Sequence, residues 1–264
     1  MRVLAILFLV PAVAGAVTLV SVDEEIAIGR QADLQARREM AVLDDAPVAR
    51  YVRSIGERLV REAPGPKYAY RFTVANYREI NAFALPGGPV WINRGVLHAA
   101  DNESQVAGVL AHEIAHIAQR HAADQMTKAV LAKWSLGMLG AMLGNAGGAG
   151  TAQVAGALVT NGVFLKFSRD DERDADRVGL QILTKAGWDS RGMIELFDVL
   201  RREAKRNPGA VDVFFSTHPS PEDRIAELRA ATARSRGGIR DSAEFRAVKA
   251  RVLKLPPPRR MPAT

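Results

Sequence analysis

The sequence predicts one mostly helical α+β domain, in which a small β-sheet sets an edge strand beside a helix carrying two histidines. Three observations carry that prediction. Apolar positions recur at helical spacing through residues 23–63 and again beyond residue 102. From Tyr68 the pattern switches to the two-residue alternation of strands, punctuated by Pro and Gly. A chain of 264 residues, 48% hydrophobic and 25% charged, is long enough and ordinary enough in composition to bury one full core.

Taken in order, residues 1–16 read as a secretory leader. Arg2 precedes the apolar run VLAILFLV, then Pro11 and the small triplet Ala14-Gly15-Ala16, with cleavage expected after Ala16. The alternative is an uncleaved membrane anchor, because the apolar run to Val20 is just long enough. Either way the body is exported, which in a bacterium means periplasmic or envelope-associated. The expected layout is a leader over 1–16, a single domain over 17–254 and a disordered Pro/Arg-rich tail over 255–264.

Residues 23–63 form two helices, broken near Asp44-Asp45-Ala46-Pro47, where the proline suits a first helical turn. The strand region follows as YRFTVAN and then Asn81-Ala82-Phe83-Ala84-Leu85-Pro86-Gly87-Gly88-Pro89-Val90-Trp91-Ile92-Asn93. Pro89 cannot donate to a ladder, which argues for an edge position. Such an edge could hold an extended peptide by strand addition, or be an ordinary hairpin. His98, on the next short helix, reads as a surface residue.

Asn102 with Gln105 makes a capping box that opens the helix VAGVLAHEIAHIAQRHAADQ, uninterrupted by Gly or Pro between Val109 and Met126. His112 and His116 lie about 40° apart around such a helix, so both imidazoles can reach one ion. Glu113 is rotated by about 100° and can meet a water molecule there without displacing it. The competing reading is a solvated helix with two unrelated histidines, but burying them without a partner costs free energy. His121 falls on the opposite helix face and reads as structural. The uncharged Gly/Ala-rich stretch 134–165 reads as packed core helices, as a mobile lid or as a membrane-dipping hairpin.

A hydrolytic zinc site keeps three protein ligands and a position for water, so a carboxylate from elsewhere is required. In SRDDERDADRVG, Glu172 and Asp176 share a helix face; one can bind the ion while the other fixes a histidine tautomer. Alternating charges of this kind also describe a plain solvated face. Ser220 and Pro221 signal a helix start just after His218. Net charge of +7, spread thinly and without aromatic interleaving, argues against a nucleic-acid partner; a solvated surface is preferred, with weak attraction to a membrane surface as the alternative. The absence of cysteine excludes thiolate ligands, a thiol nucleophile and a lipoprotein cysteine.

HEIAHIAQRH, SRDDERDADRVG and NAFALPGGPVWINRG together resemble the zinc metallopeptidase family of the CAAX prenyl endopeptidase and the bacterial BepA-type and HtpX-type proteases. The resemblance implies a gluzincin-type zincin fold and a zinc endopeptidase with one zinc per chain. It implies His112, His116 and Glu172 as ligands, Glu113 as general base and Asp176 as the partner of a ligand. It makes residues 81–93, with Asn81, Ala82, Val90, Trp91 and Ile92, the substrate-side edge strand. In BepA-like relatives a Ser-Thr-His-Pro segment can bring its histidine to the metal and close the site. That is one role for His218; a transition-state hydrogen bond or a structural turn are the others. The implied substrates are polypeptides, as in envelope protein quality control. A chaperone or adaptor that binds exposed strands and cleaves little is the rival reading.

Overall fold

The computed structural model describes residues 18–142, 167–207, 209–218, 221–233 and 237–261. The leader, most of the Gly/Ala-rich stretch and the Ser220 cap fall outside them. The chain runs α1 (Val22–Glu39), α2 (Ala46–Val60), β1 (Arg71–Ala75), β2 (Ala82–Ala84), β3 (Pro89–Asn93), α3 (Arg94–Ala99) and α4 (Glu103–Ala118). It continues with α5 (His121–Met142), α6 (Arg169–Lys185), α7 (Arg191–Arg206), α8 (Asp212–Thr217), α9 (Pro221–Thr232) and α10 (Ala243–Lys254). The architecture is mostly helical with a small sheet, as the sequence predicts. No helix among the described residues is long and apolar enough to cross a membrane.

Side-chain caps set the helix starts. Ser21 and Glu24 cap α1 reciprocally, Asp45 accepts from the Val48 amide at α2, and Ser168 and Asp171 form a second capping box at α6. Each such cap contributes roughly 1 kcal/mol. At α4 Asn102 accepts from the Gln105 amide, while the Gln105 side chain reaches one residue further, to the Asp101 amide. Every residue of α4 is buried, so this helix is the centre of the fold, packed by α2, α6, α7 and the sheet. Glu103 in its first turn accepts from the Trp188 indole (2.9 Å) and the Ser242 hydroxyl, which ties the helix start to the loop before α7 and to the cap of α10.

The sheet has the order β1-β3-β2, with β1 parallel and β2 antiparallel to β3. Here the structure corrects the expectation: β3 is the central strand and β2 is an edge. Pro89 is tolerated because it is the first residue of β3, where the missing N–H interrupts nothing; its carbonyl accepts from Leu85 (2.8 Å). The Pro-Gly-Gly-Pro turn is pressed onto α1. Gly87 adopts φ 70°, and a Cβ there would lie 2.5 Å from the Ile26 Cα, so both backbone and space require glycine.

The expected disordered tail is also corrected over residues 255–261, the part of it that is described. Arg259 exchanges main-chain hydrogen bonds with Asn76 and Arg78, and Met261 packs beside Trp91, Phe83 and Tyr77. The buried Arg94 guanidinium donates to the carbonyls of Val252, Leu255 and Pro256. Composition suggested disorder, but prolines need no partner for a missing N–H, and the surrounding residues find theirs in the domain.

Candidate metal centre

Three elements converge on one buried point. His112, Glu113 and His116 come from α4, Glu172 from α6, and His218 from the C-cap of the short helix α8. One ligand atom from each of His112, His116, Glu172 and His218 falls within 4.8 Å of the others. His116 Nε2 lies 3.1 Å from His112 Nε2 and 3.3 Å from Glu172 Oε1. His218 Nδ1 lies 2.9 Å from Glu172 Oε1 and 3.4 Å from His112 Nε2. Helix α8 was not expected from the sequence. The Phe214 ring on it stacks against His218 (5.0 Å), which holds the imidazole in the cluster.

The charges are arranged around this point. Burial pushes the Glu172 carboxyl up, but His218, His112 and His116 outweigh it and hold the group well below the ordinary range. Burial also opposes ionisation of Asp176, yet Arg224 and His112 keep its pKa low. The carboxylate of Asp176 faces His112 Nδ1 at 3.1 Å, which directs His112 Nε2 to the centre. Burial holds His116 well below the usual imidazole value, so it is a neutral ring with a free lone pair. Burial opposes a charge on His112 as well, but Asp176 and Glu172 outweigh it and raise that ring to about 10, a proton that a bound cation would replace. Histidine ring nitrogens and a carboxylate oxygen, aimed together in a buried space, are the donor set a divalent zinc ion takes, so these residues fit such an ion. Glu113 differs. It is fully buried, neither oxygen has a hydrogen-bond partner, and burial raises its pKa. Its neighbours are His218 Nε2, 3.5 Å from Oε1, and the Ala84 main chain of β2.

The residues expected to bind an extended chain divide into two groups. Ala82 opens the edge strand β2, which packs on α4, and Asn81 precedes it with a buried, unpartnered side-chain amide. Val90, Trp91 and Ile92 lie in the central strand, paired on both sides, and the Trp91 indole donates to Asp33 of α1 (2.9 Å). The physical reason is simple: a strand flanked by two others has no edge to offer. His98 is exposed, as expected.

Two residues went unrecognised. Arg224 of α9 is buried and donates to both Asp176 oxygens (2.6 and 2.7 Å) and to Glu172 Oε2. No local pattern marks it, because its partners lie on another helix. His121 was assigned to the far side of an unbroken helix. Instead α4 ends at Ala118, Arg120 adopts φ 61°, and His121 begins α5 with Nδ1 2.9 Å from His116 Nδ1. A left-handed conformation costs a non-glycine residue roughly 1–2 kcal/mol. The Arg120 side chain offsets it by pairing with the buried Glu25 (2.9 Å) and the Val20 carbonyl, contacts glycine could not make.

A buried His-Glu-x-x-His helix joined by a glutamate from a second helix defines the metalloprotease class. The chain belongs to Peptidase family M48, whose model matches residues 47–232. It is 35% identical to the Beta-barrel assembly-enhancing protease of Escherichia coli (strain K12), over 88% of this chain and 49% of that protein. It is 32% identical to the Mitochondrial metalloendopeptidase OMA1 of Schizosaccharomyces pombe, over 69% of this chain and 52% of the relative. Metalloprotease YcaL of Escherichia coli is 27% identical over 66% of this chain and 68% of its own length. The chain thus spans about half the length of the first two relatives.

Proposed function

We propose that this chain is a zinc endopeptidase that hydrolyses extended or misfolded segments of exported proteins in the periplasm or envelope. The observation that carries the reading is the buried four-donor cluster with the unpartnered Glu113 carboxylate at its side. His112, His116 and Glu172 would hold one zinc. When bound, zinc supplies a Lewis acid that polarises a peptide carbonyl and acidifies water. Glu113 takes a proton from the attacking water and delivers it to the leaving amine, a task suited to a buried carboxylate that no side chain hydrogen-bonds. Asp176 fixes the ring of His112. The edge strand that begins at Ala82, preceded by Asn81, receives the extended peptide by strand addition, because β2 packs on α4 and its Ala84 main chain adjoins Glu113. The role in envelope quality control draws support from the relative named for β-barrel assembly.

His218 supplies a fourth protein donor, and a site with four leaves no position for water. We therefore assign His218 as the group that closes the site and must withdraw for cleavage. The same position favours a second reading, a self-closed adaptor that binds strands and cleaves little. Casein cleavage by the wild-type protein, Glu113→Gln and His218→Ala separates them. Loss in Glu113→Gln with a rise in His218→Ala supports the gated peptidase. Zinc-loaded protein that cleaves in no variant supports the adaptor.

A further inference from the structure

We infer that His121, backed by Asp174, is a positioning residue that sets the tautomer and the tilt of His116 for metal binding. The inference rests on the metalloprotease reading of the cluster. His116 turns Nε2 toward the other donors, 3.1 Å from His112 Nε2 and 3.3 Å from Glu172 Oε1. A neutral imidazole that offers the Nε2 lone pair to an ion carries its hydrogen on Nδ1. That Nδ1–H points at His121 Nδ1, 2.9 Å away, which must then be an acceptor. His121 consequently carries its own hydrogen on Nε2, and that atom faces Asp174 Oδ2 at 3.5 Å. Asp174 is itself fixed, since Gln119 Nε2 donates to Oδ2 (2.6 Å) and Arg177 pairs with Oδ1.

With the His116 Nε2 lone pair given to the ion, every further step has one direction, so the tautomers of both rings follow. His116 is also stacked on Phe167, with centroids 3.9 Å apart, which leaves the in-plane hydrogen bond as the contact that sets ring rotation. Helix α6 then serves the centre three times: Glu172 as a donor to the ion, Asp176 behind His112, and Asp174 behind His121. Each histidine of α4 that faces the ion has its second nitrogen anchored, one directly by a carboxylate and the other through an imidazole. His121 stands in place only because the chain turns at Arg120, so the Glu25–Arg120 pair reaches the ligand geometry through one residue.

The test is zinc affinity by competition with a chromophoric chelator, beside thermal melts of the zinc-free proteins. His121→Phe keeps a ring but offers no acceptor. His121→Asn places Oδ1 where Nδ1 stood. The inference predicts that zinc binding weakens about 10- to 100-fold in His121→Phe and returns to near wild-type in His121→Asn. Wild-type affinity in His121→Phe, or equal weakening in both variants, overturns it. Should His121→Phe show no cooperative melt, nitrogen NMR of the unmodified zinc-loaded protein decides. An Nε2–H tautomer at His121 sustains the inference and an Nδ1–H tautomer refutes it. Wild-type protein that takes up no zinc defeats the metal reading itself, whereas the other failures leave that reading standing.

Discussion

Replacing Arg224 by Met tests how the two carboxylates behind the centre are held. The guanidinium is buried, makes two hydrogen bonds to Asp176 at 2.6 and 2.7 Å, and pairs with Glu172. Methionine keeps an apolar stem near the Phe197 ring, over which the guanidinium carbon now sits at 5.4 Å, but it removes the cation. Two buried carboxylates then lose the guanidinium and are left facing imidazoles, His112 for Asp176 and His218 and His116 for Glu172. Removing one member of a buried pair typically costs about 3–5 kcal/mol, and at roughly 2–4 °C per kcal/mol for a chain of this size Tm falls by about 6–20 °C. The loss should be fully expressed with chelator present and smaller with zinc, because the ion shares the charge of Glu172. Asp176→Asn alone destabilises, while the double variant loses less than the sum of the two, since each residue's cost is mostly the stranding of the other. Thermal melts of the four proteins, with zinc and with chelator, complete the cycle. Arg224→Met melting within about 1 kcal/mol of wild type in chelator would refute the reasoning.

Two further changes examine the corrected parts of the fold. Trp91→Phe loses the indole hydrogen bond to Asp33 and should cost about 1–3 kcal/mol, yet leave KM for an extended peptide unchanged, because β3 is internal; a large rise in KM would return substrate contact to that strand. Deleting residues 256–264 removes the Arg259 pairing and one acceptor of the buried Arg94, so stability should fall by about 1–3 kcal/mol; an unchanged urea midpoint would mean that the tail contributes nothing.

What the sequence disclosed and what it hid divide along a physical line. Helix starts near Asp45 and at Asn102, the paired faces of His112 and His116, and the shared face of Glu172 and Asp176 are decided within a few residues, so periodicity and capping reveal them. The end of α4 was hidden because it depends on Glu25, 95 residues from Arg120, and no local breaker announces it. The place of β3 was misjudged because Pro89 forbids only one donor, while strand order depends on which neighbours arrive. Arg224 is invisible for the same reason: its partners stand 48 and 52 residues away on α6. Motif resemblance supplied the candidate ligand set, and geometry added the residues packed behind it.

The most direct test of the account is elemental analysis of the purified protein beside His112→Ala. About one zinc per wild-type chain, lost in the variant while its melt stays cooperative, is the predicted result. A wild-type protein without bound metal, or a variant that retains its zinc, would contradict the assignment of this cluster as the metal centre.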